Sequence, residues 1–119
     1  MGTNLKFTKT FRFSASFARD GKVWGHNYVL GVSIDAPSSL EAEARFEEAV
    51  AASLIRKLES RDLGMDVDFL EGMEISDTHL LVRFSEILRK AVAPLVLRGL
   101  TLERDSRSVT SLENPVPHG

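Results

Sequence analysis

Two long runs of strict alternation constrain this chain more than any other feature. Leu5, Phe7, Phe11, Phe13, Ala15 and Phe17 take odd positions, while Lys6, Thr8, Thr10, Arg12, Ser14 and Ser16 take even ones. A period of two sends each set to its own face, so the run predicts a half-buried strand. Arg19-Asp20-Gly21-Lys22 supplies turn chemistry. Trp24, His26, Tyr28, Leu30, Val32 and Ile34 then share one face of a second strand, which Pro37, Ser38 and Ser39 end. The two strands pair as a long antiparallel hairpin.

Helical spacing follows. Ser38 and Glu41 have the separation of a capping box. Phe46, Val50, Leu54 and Leu58 mark one apolar stripe behind them. The stretch from Arg61 to Gly72 reads as a loop. Ser76 or Asp77 starts a second helix, with Leu80, Leu81, Phe84, Ile87, Leu88 and Ala91 as its buried face and Pro94 as its stop. Leu95 to Glu103, a turn at Arg104-Asp105-Ser106-Arg107, and Ser108 to Leu112 read as a second hairpin. Hairpin, two helices, hairpin is an α+β domain over residues 1–112, with residues 113–119 as a loose tail.

Composition removes several function classes. A formal net charge of -2 offers no basic footprint for nucleic acid. No apolar run approaches a membrane span. Met1 to Lys9 lacks the apolar core of a signal peptide, so the expected location is cytoplasmic. With no cysteine in the chain, disulfides, thiolate nucleophiles and cysteine metal sites are all excluded.

Phe13-Ser14-Ala15-Ser16-Phe17 and Trp24-Gly25-His26-Asn27-Tyr28 resemble the signature of the 6-pyruvoyl-tetrahydropterin synthase family, which includes the 6-carboxytetrahydropterin synthases. The family reads roughly F-S-A-S-H, then H-G-H-N-Y, and its three histidines bind a catalytic zinc. The resemblance covers roughly Leu5 to Leu112. It implies the tunnelling fold, in which subunits join their sheets into one barrel with helices outside, commonly as a hexamer of two stacked trimers. It also implies a first helix starting near Arg45, against the start that the capping box suggests.

The resemblance implies a dismantled metal site. Phe17 and Trp24 stand where two histidines would, and neither ring ligates zinc; His26 alone survives. One imidazole falls short of the three protein ligands that a catalytic zinc needs. Metal and cofactor are therefore expected to be absent. The family's thiol is gone, with Asp20 at the corresponding spacing of some members. Its L-D-H-R-x-L-N segment is matched by Leu58-Glu59-Ser60-Arg61-Asp62-Leu63-Gly64. Glu59 keeps a carboxylate and is the one weak catalytic candidate, although a solvated charge at a helix end also accounts for it. Ser60 cannot titrate near neutrality as an imidazole does.

Binding residues look less eroded. Ser76 keeps the hydroxyl of the family's P-T-x-E-N-L, although Thr78 and His79 depart from it. Glu103 falls at the glutamate that anchors the pterin ring in the family. A carboxylate suits that task, because it accepts two hydrogen bonds from adjacent N–H groups. Three readings stay open. The first is a homo-oligomer that binds a pterin- or purine-like heterocycle through Glu103, His26, Phe17, Trp24 and Ser76 without zinc chemistry. The second is an active synthase or lyase (the family performs carbon–oxygen chemistry) on a dihydroneopterin-triphosphate-type substrate, with Glu59, Asp20 or Tyr28 as its base. The third is a purely structural subunit.

Overall fold

A computed structural model describes residues 5–113 of the chain. The predicted hairpin is present as β1 (Lys6–Arg19) and β2 (Lys22–Asp35). Its register pairs Phe13 with Tyr28, Phe11 with Leu30 and Phe7 with Ile34, so the two apolar faces coincide. Next come α1 (Leu40–Val50), a π-helical segment (Ala51–Ile55) and the short α2 (Arg56–Leu58). After β3 (Arg61–Asp62) and a single 3-10 turn (Asp68–Leu70) comes α3 (Asp77–Ala91). β4 (Leu97–Arg104) and β5 (Ser108–Glu113) close the chain as the second hairpin. The five strands lie in the order β3-β1-β2-β4-β5.

Several boundaries differ from the sequence expectation. The helix begins at Leu40, capped by Ser39, whose hydroxyl accepts the Ala42 N–H at 3.1 Å. The cap is therefore the second of the two adjacent serines, and no extended edge runs to Arg45. The supposed loop holds β3, which pairs in parallel with Ala15 and Ser16 of β1. Glu113 belongs to β5, while residues 114–119 of the expected tail lie outside the described residues.

The π segment has a cause in the sequence. Phe46, Val50, Leu54 and Leu58 recur every four residues, and all are at most 1% exposed. In an α-helix each such step overshoots a full turn by about 40°. A continuous α-helix would carry Leu58 well away from the stripe. Wider i→i+5 turns rotate the chain less per residue and bring the later leucines back toward the sheet.

Helices and sheet share one core. Phe13, Tyr28, Leu30, Val32, Ile34, Leu100 and Leu102 meet Phe46, Leu54, Leu80, Phe84 and Leu88 there. The other sheet face is lined mainly by small and polar side chains, and among the described residues no helix packs on it. Gly31 leaves room on that face for Thr101: a Cβ there would stand 2.4 Å from Thr101 Oγ1, and the threonine side chain would have to turn away. β4 stops opposite Tyr28, where Arg104 pairs with it, so the end of the first hairpin projects beyond the sheet. That projection leaves Val23 and Trp24 exposed.

Candidate functional site

The projecting hairpin places Phe17, Trp24 and His26 together on the helix face. Phe17 lies directly opposite Trp24, and His26 lies opposite Ala15. The Phe17 and His26 rings are 5.3 Å apart and tilted by 30°. With Asp20, Lys22 and Arg104 they line a groove of about 410 Å³. The possible donors there are one imidazole and the rim carboxylate of Asp20, beside a benzene ring and an indole. They do not fit zinc, which needs three protein ligands in a catalytic site. Among the described residues no group of three or more His, Cys, Asp or Glu side chains is disposed to hold a metal ion.

His26 is held by a residue that sequence reading took for a turn residue only. Asp105 adopts a left-handed φ of 54° in the β4–β5 turn. Aspartate tolerates that conformation because its short side chain can hydrogen-bond locally. Asp105 Oδ2 lies 2.5 Å from His26 Nδ1, and Asp105 Oδ1 accepts the Asn27 N–H at 2.7 Å. These two bonds, the backbone one first, hold its carboxyl below the ordinary aspartate range. A turn signal alone could not reveal that this carboxylate returns to β2.

Arg104 belongs to the same face. It donates from Nε to both carboxylate oxygens of Asp77, at 3.2 and 3.1 Å, and so ties the start of α3 to β4. Ser76 is the N-cap of α3. Its hydroxyl accepts the His79 N–H at 3.2 Å and lies 2.6 Å from His79 Nδ1. That hydroxyl is spent on the helix end, and the groove does not include Ser76.

Tyr28 sits beneath the groove, stacked on Phe13 at 4.9 Å. It is 1% exposed. Burial, and then the nearby Asp77 carboxylate, push its phenol from 10.0 to about 12, with Arg104 opposing. A raised value means that the folded state keeps a proton which the unfolded chain loses first. Stability from this group is complete below pH 10 and declines as pH rises toward 12. Tyr28 is the sole tyrosine. Its ultraviolet titration is expected to show no phenolate near pH 10 until the protein unfolds; ionisation at the ordinary value with the fold intact would contradict the buried placement.

Glu103 is on the opposite face of the sheet. It pairs with Val29 and Val109, and successive strand residues alternate between faces. There it lines a polar cleft of about 420 Å³ with Arg12, Ser14, Asn27, Glu59 and Ser106. Within one chain Glu103 therefore does not meet His26, Phe17 or Trp24.

Glu59 is an exposed charge at the end of α2, and its carboxylate also bonds across to β1. Its Oε2 accepts the Ser14 N–H at 2.9 Å, just before β3 begins pairing with β1. The Ser60 N–H continues the edge by donating to the Ser14 carbonyl at 2.6 Å. The carboxylate thus fills a backbone hydrogen-bonding position on a strand edge. Asp20 lines the groove rim in a left-handed turn at φ 52°.

No family model and no curated protein sequence matches the chain. A solved structure does. The chain superposes on 6-pyruvoyl tetrahydropterin synthase from Caenorhabditis elegans with a TM-score of 0.75, covering 95% of this chain and 97% of that one. The fold is that of a 6-pyruvoyl tetrahydropterin synthase. Sequence identity is 18%, which carries the fold and nothing about the site. Among the described residues no helix is long and apolar enough to cross a membrane.

Proposed function

We propose that the chain is a synthase-like protein that binds a pterin- or purine-like heterocycle at Glu103 without the zinc chemistry of that family. The observation that supports this reading is the state of Glu103. Its neighbour Arg104 points to the other face and is engaged by Asp77. Among the described residues Glu103 forms no ion pair, and it opens on a cleft with Arg12, Ser14 and Asn27. A half-buried carboxylate with free acceptor oxygens suits two adjacent N–H groups on the edge of a heterocycle. The cleft lies within the usual size range of small-molecule sites. Calorimetric titration with a panel of pterins and guanine derivatives tests the reading. Binding by at least one member is expected. No heat from any of them would leave the structural-subunit reading as the better account.

The same proposal includes self-association, as a hexamer. β3 covers β1 only at Ala15 and Ser16. Ser14 and Ser16 turn their backbone groups toward that edge, so Lys6, Thr8, Thr10 and Arg12 continue it with no strand beside them among the described residues. β5 is the other open edge. Uncovered edges invite pairing, and a closed ring of sheets removes them. Sedimentation is expected to show an oligomer, and a monomer at micromolar concentration would overturn the assembly.

A further inference from the structure

The helix-free face of the sheet carries a second cavity, larger than the Glu103 cleft and sharing no residue with it. It encloses about 600 Å³, within the usual size of small-molecule sites. Gly99 on its floor and Glu103 are four residues apart on β4, so roughly 13 Å separates the two places.

A bulge in β4 builds this cavity. Ser33 pairs with Gly99 but Ile34 pairs with Leu97, which leaves Arg98 as an extra residue. Strict alternation back from Leu102 and Leu100 would send Arg98 into the core and Leu97 out of it. The bulge reverses that assignment. Leu97 is buried, and Arg98 turns to the helix-free face, where Asp35 Oδ1 accepts its Nε–H at 2.6 Å. Bulges re-aim side chains in this way beside binding sites. Gly99 comes next and keeps the floor open, since a Cβ there would stand 3.0 Å from the Leu112 carbonyl oxygen.

The walls hold unused hydrogen-bonding groups. Asp35 takes Arg98 through Nε, and among the described residues no bond engages the terminal guanidinium nitrogens. Lys6 lies opposite Asp35 in the register, yet among the described residues no ion pair holds its ammonium. Thr101 and Ser111 face each other across β4 and β5, and their hydroxyls are likewise without partners among the described residues. A planar fork beside an ammonium suits a phosphate, whose three terminal oxygens can receive both and a hydroxyl besides. Charge alone would not hold a bare anion, because Asp35 and Glu113 balance Lys6 and Arg98. Glu113 lies opposite Gly99, and an ionised carboxylate only accepts. The ligand therefore has to bring hydroxyl donors as well as an anion.

We infer that this cavity is a separate ligand site for a phosphorylated polyol. The phosphate meets Arg98 and Lys6, and the hydroxyls meet Thr101, Ser111 and Glu113. Asp35 is a positioning residue: holding Nε, it turns the free edge of the guanidinium to the ligand. The site stands or falls separately from heterocycle binding at Glu103.

Calorimetric titration of the full chain with glucose 6-phosphate, glucose and inorganic phosphate tests the assignment. Glucose 6-phosphate is expected to bind saturably. Glucose should bind at least about a hundredfold more weakly, having lost two charge-assisted bonds, and inorganic phosphate about tenfold more weakly, having lost the hydroxyl contacts. Two exposed positions separate the halves of the ligand. Lys6→Gln should weaken the ester and inorganic phosphate alike, by about tenfold, whereas Thr101→Val should weaken the ester several-fold and leave inorganic phosphate unchanged. No saturable heat with glucose 6-phosphate overturns the proposal. So does inorganic phosphate binding as tightly as the ester, which would mean an anion contact only, or glucose binding as tightly as the ester. None of these three outcomes depends on whether a variant folds, and none involves a pterin or guanine.

Discussion

Phe17→His combined with Trp24→His is expected to create a site that binds one zinc per chain, where the wild type is expected to bind none. The register sets this up. Directly opposed residues on antiparallel strands hold their Cβ atoms about 4.5–5.5 Å apart, and Phe17 and Trp24 are such a pair. His26 is two residues beyond Trp24 and therefore on the same face. Three imidazoles there converge on one point, within reach of Zn–N bonds of about 2.0–2.1 Å. Asp105 is already in the position that supports a metal-bound histidine, accepting from Nδ1 and directing Nε2 outward. A micromolar dissociation constant is a conservative expectation and corresponds to about 8 kcal/mol of binding. Adding Asp105→Asn should weaken the restored site by about 10–100-fold, as losing such a support does elsewhere. Elemental analysis and zinc titration read the outcome. A folded triple-histidine variant that takes up no zinc would mean that the hairpin end is paired differently. One zinc per wild-type chain, lost on His26→Ala, would overturn the metal-free reading itself.

The contrast between the two aromatic positions and His26 shows what a sequence carries and what it hides. Alternation from Leu5 to Phe17 and from Trp24 to Ile34 made the hairpin and its faces legible, because burial of one face leaves only one register. The four-residue stripe ending at Leu58 was equally plain, although the π turn that keeps it aligned was not. β3 had no pattern to read. It is two residues long and is held by backbone bonds, among them the Leu63 N–H to the Ser16 carbonyl at 2.7 Å. Glu59 is the exposed helix-end charge that its position suggests, but its bond to a backbone N–H 45 residues earlier had no local signal. Asp105 was missed for a related reason. Turn chemistry explained it sufficiently, and its contacts lie 78 and 79 residues back along the chain. Local rules identify residues that satisfy local needs, whereas a carboxylate that bridges two elements can look like any other polar turn residue.

Glu103→Gln is expected to abolish most heterocycle affinity while leaving the fold intact. Its carboxylate is half-buried beside Arg12, Ser14 and Asn27, and among the described residues it is free of ion pairs. Two N–H groups on one heterocycle edge can both be received by the two carboxylate oxygens. Each charge-assisted bond contributes about 1.5–3 kcal/mol, and imperfect additivity puts the pair at about 2–4 kcal/mol. The corresponding loss of affinity is roughly thirty- to several-hundredfold. An amide does not rescue it, since glutamine presents one acceptor oxygen and aims an NH₂ donor at a second donor. Stability should move by no more than about 0.5 kcal/mol, the usual range for a side chain without buried partners. That separation between binding and stability distinguishes an anchor from a structural strand-end residue. Calorimetry of the wild type and the variant against the same pterin and guanine panel measures the first quantity, and thermal melts measure the second. Equal affinity in the two proteins would remove Glu103 from the site, and a large fall in melting temperature would show that the carboxylate serves the fold instead.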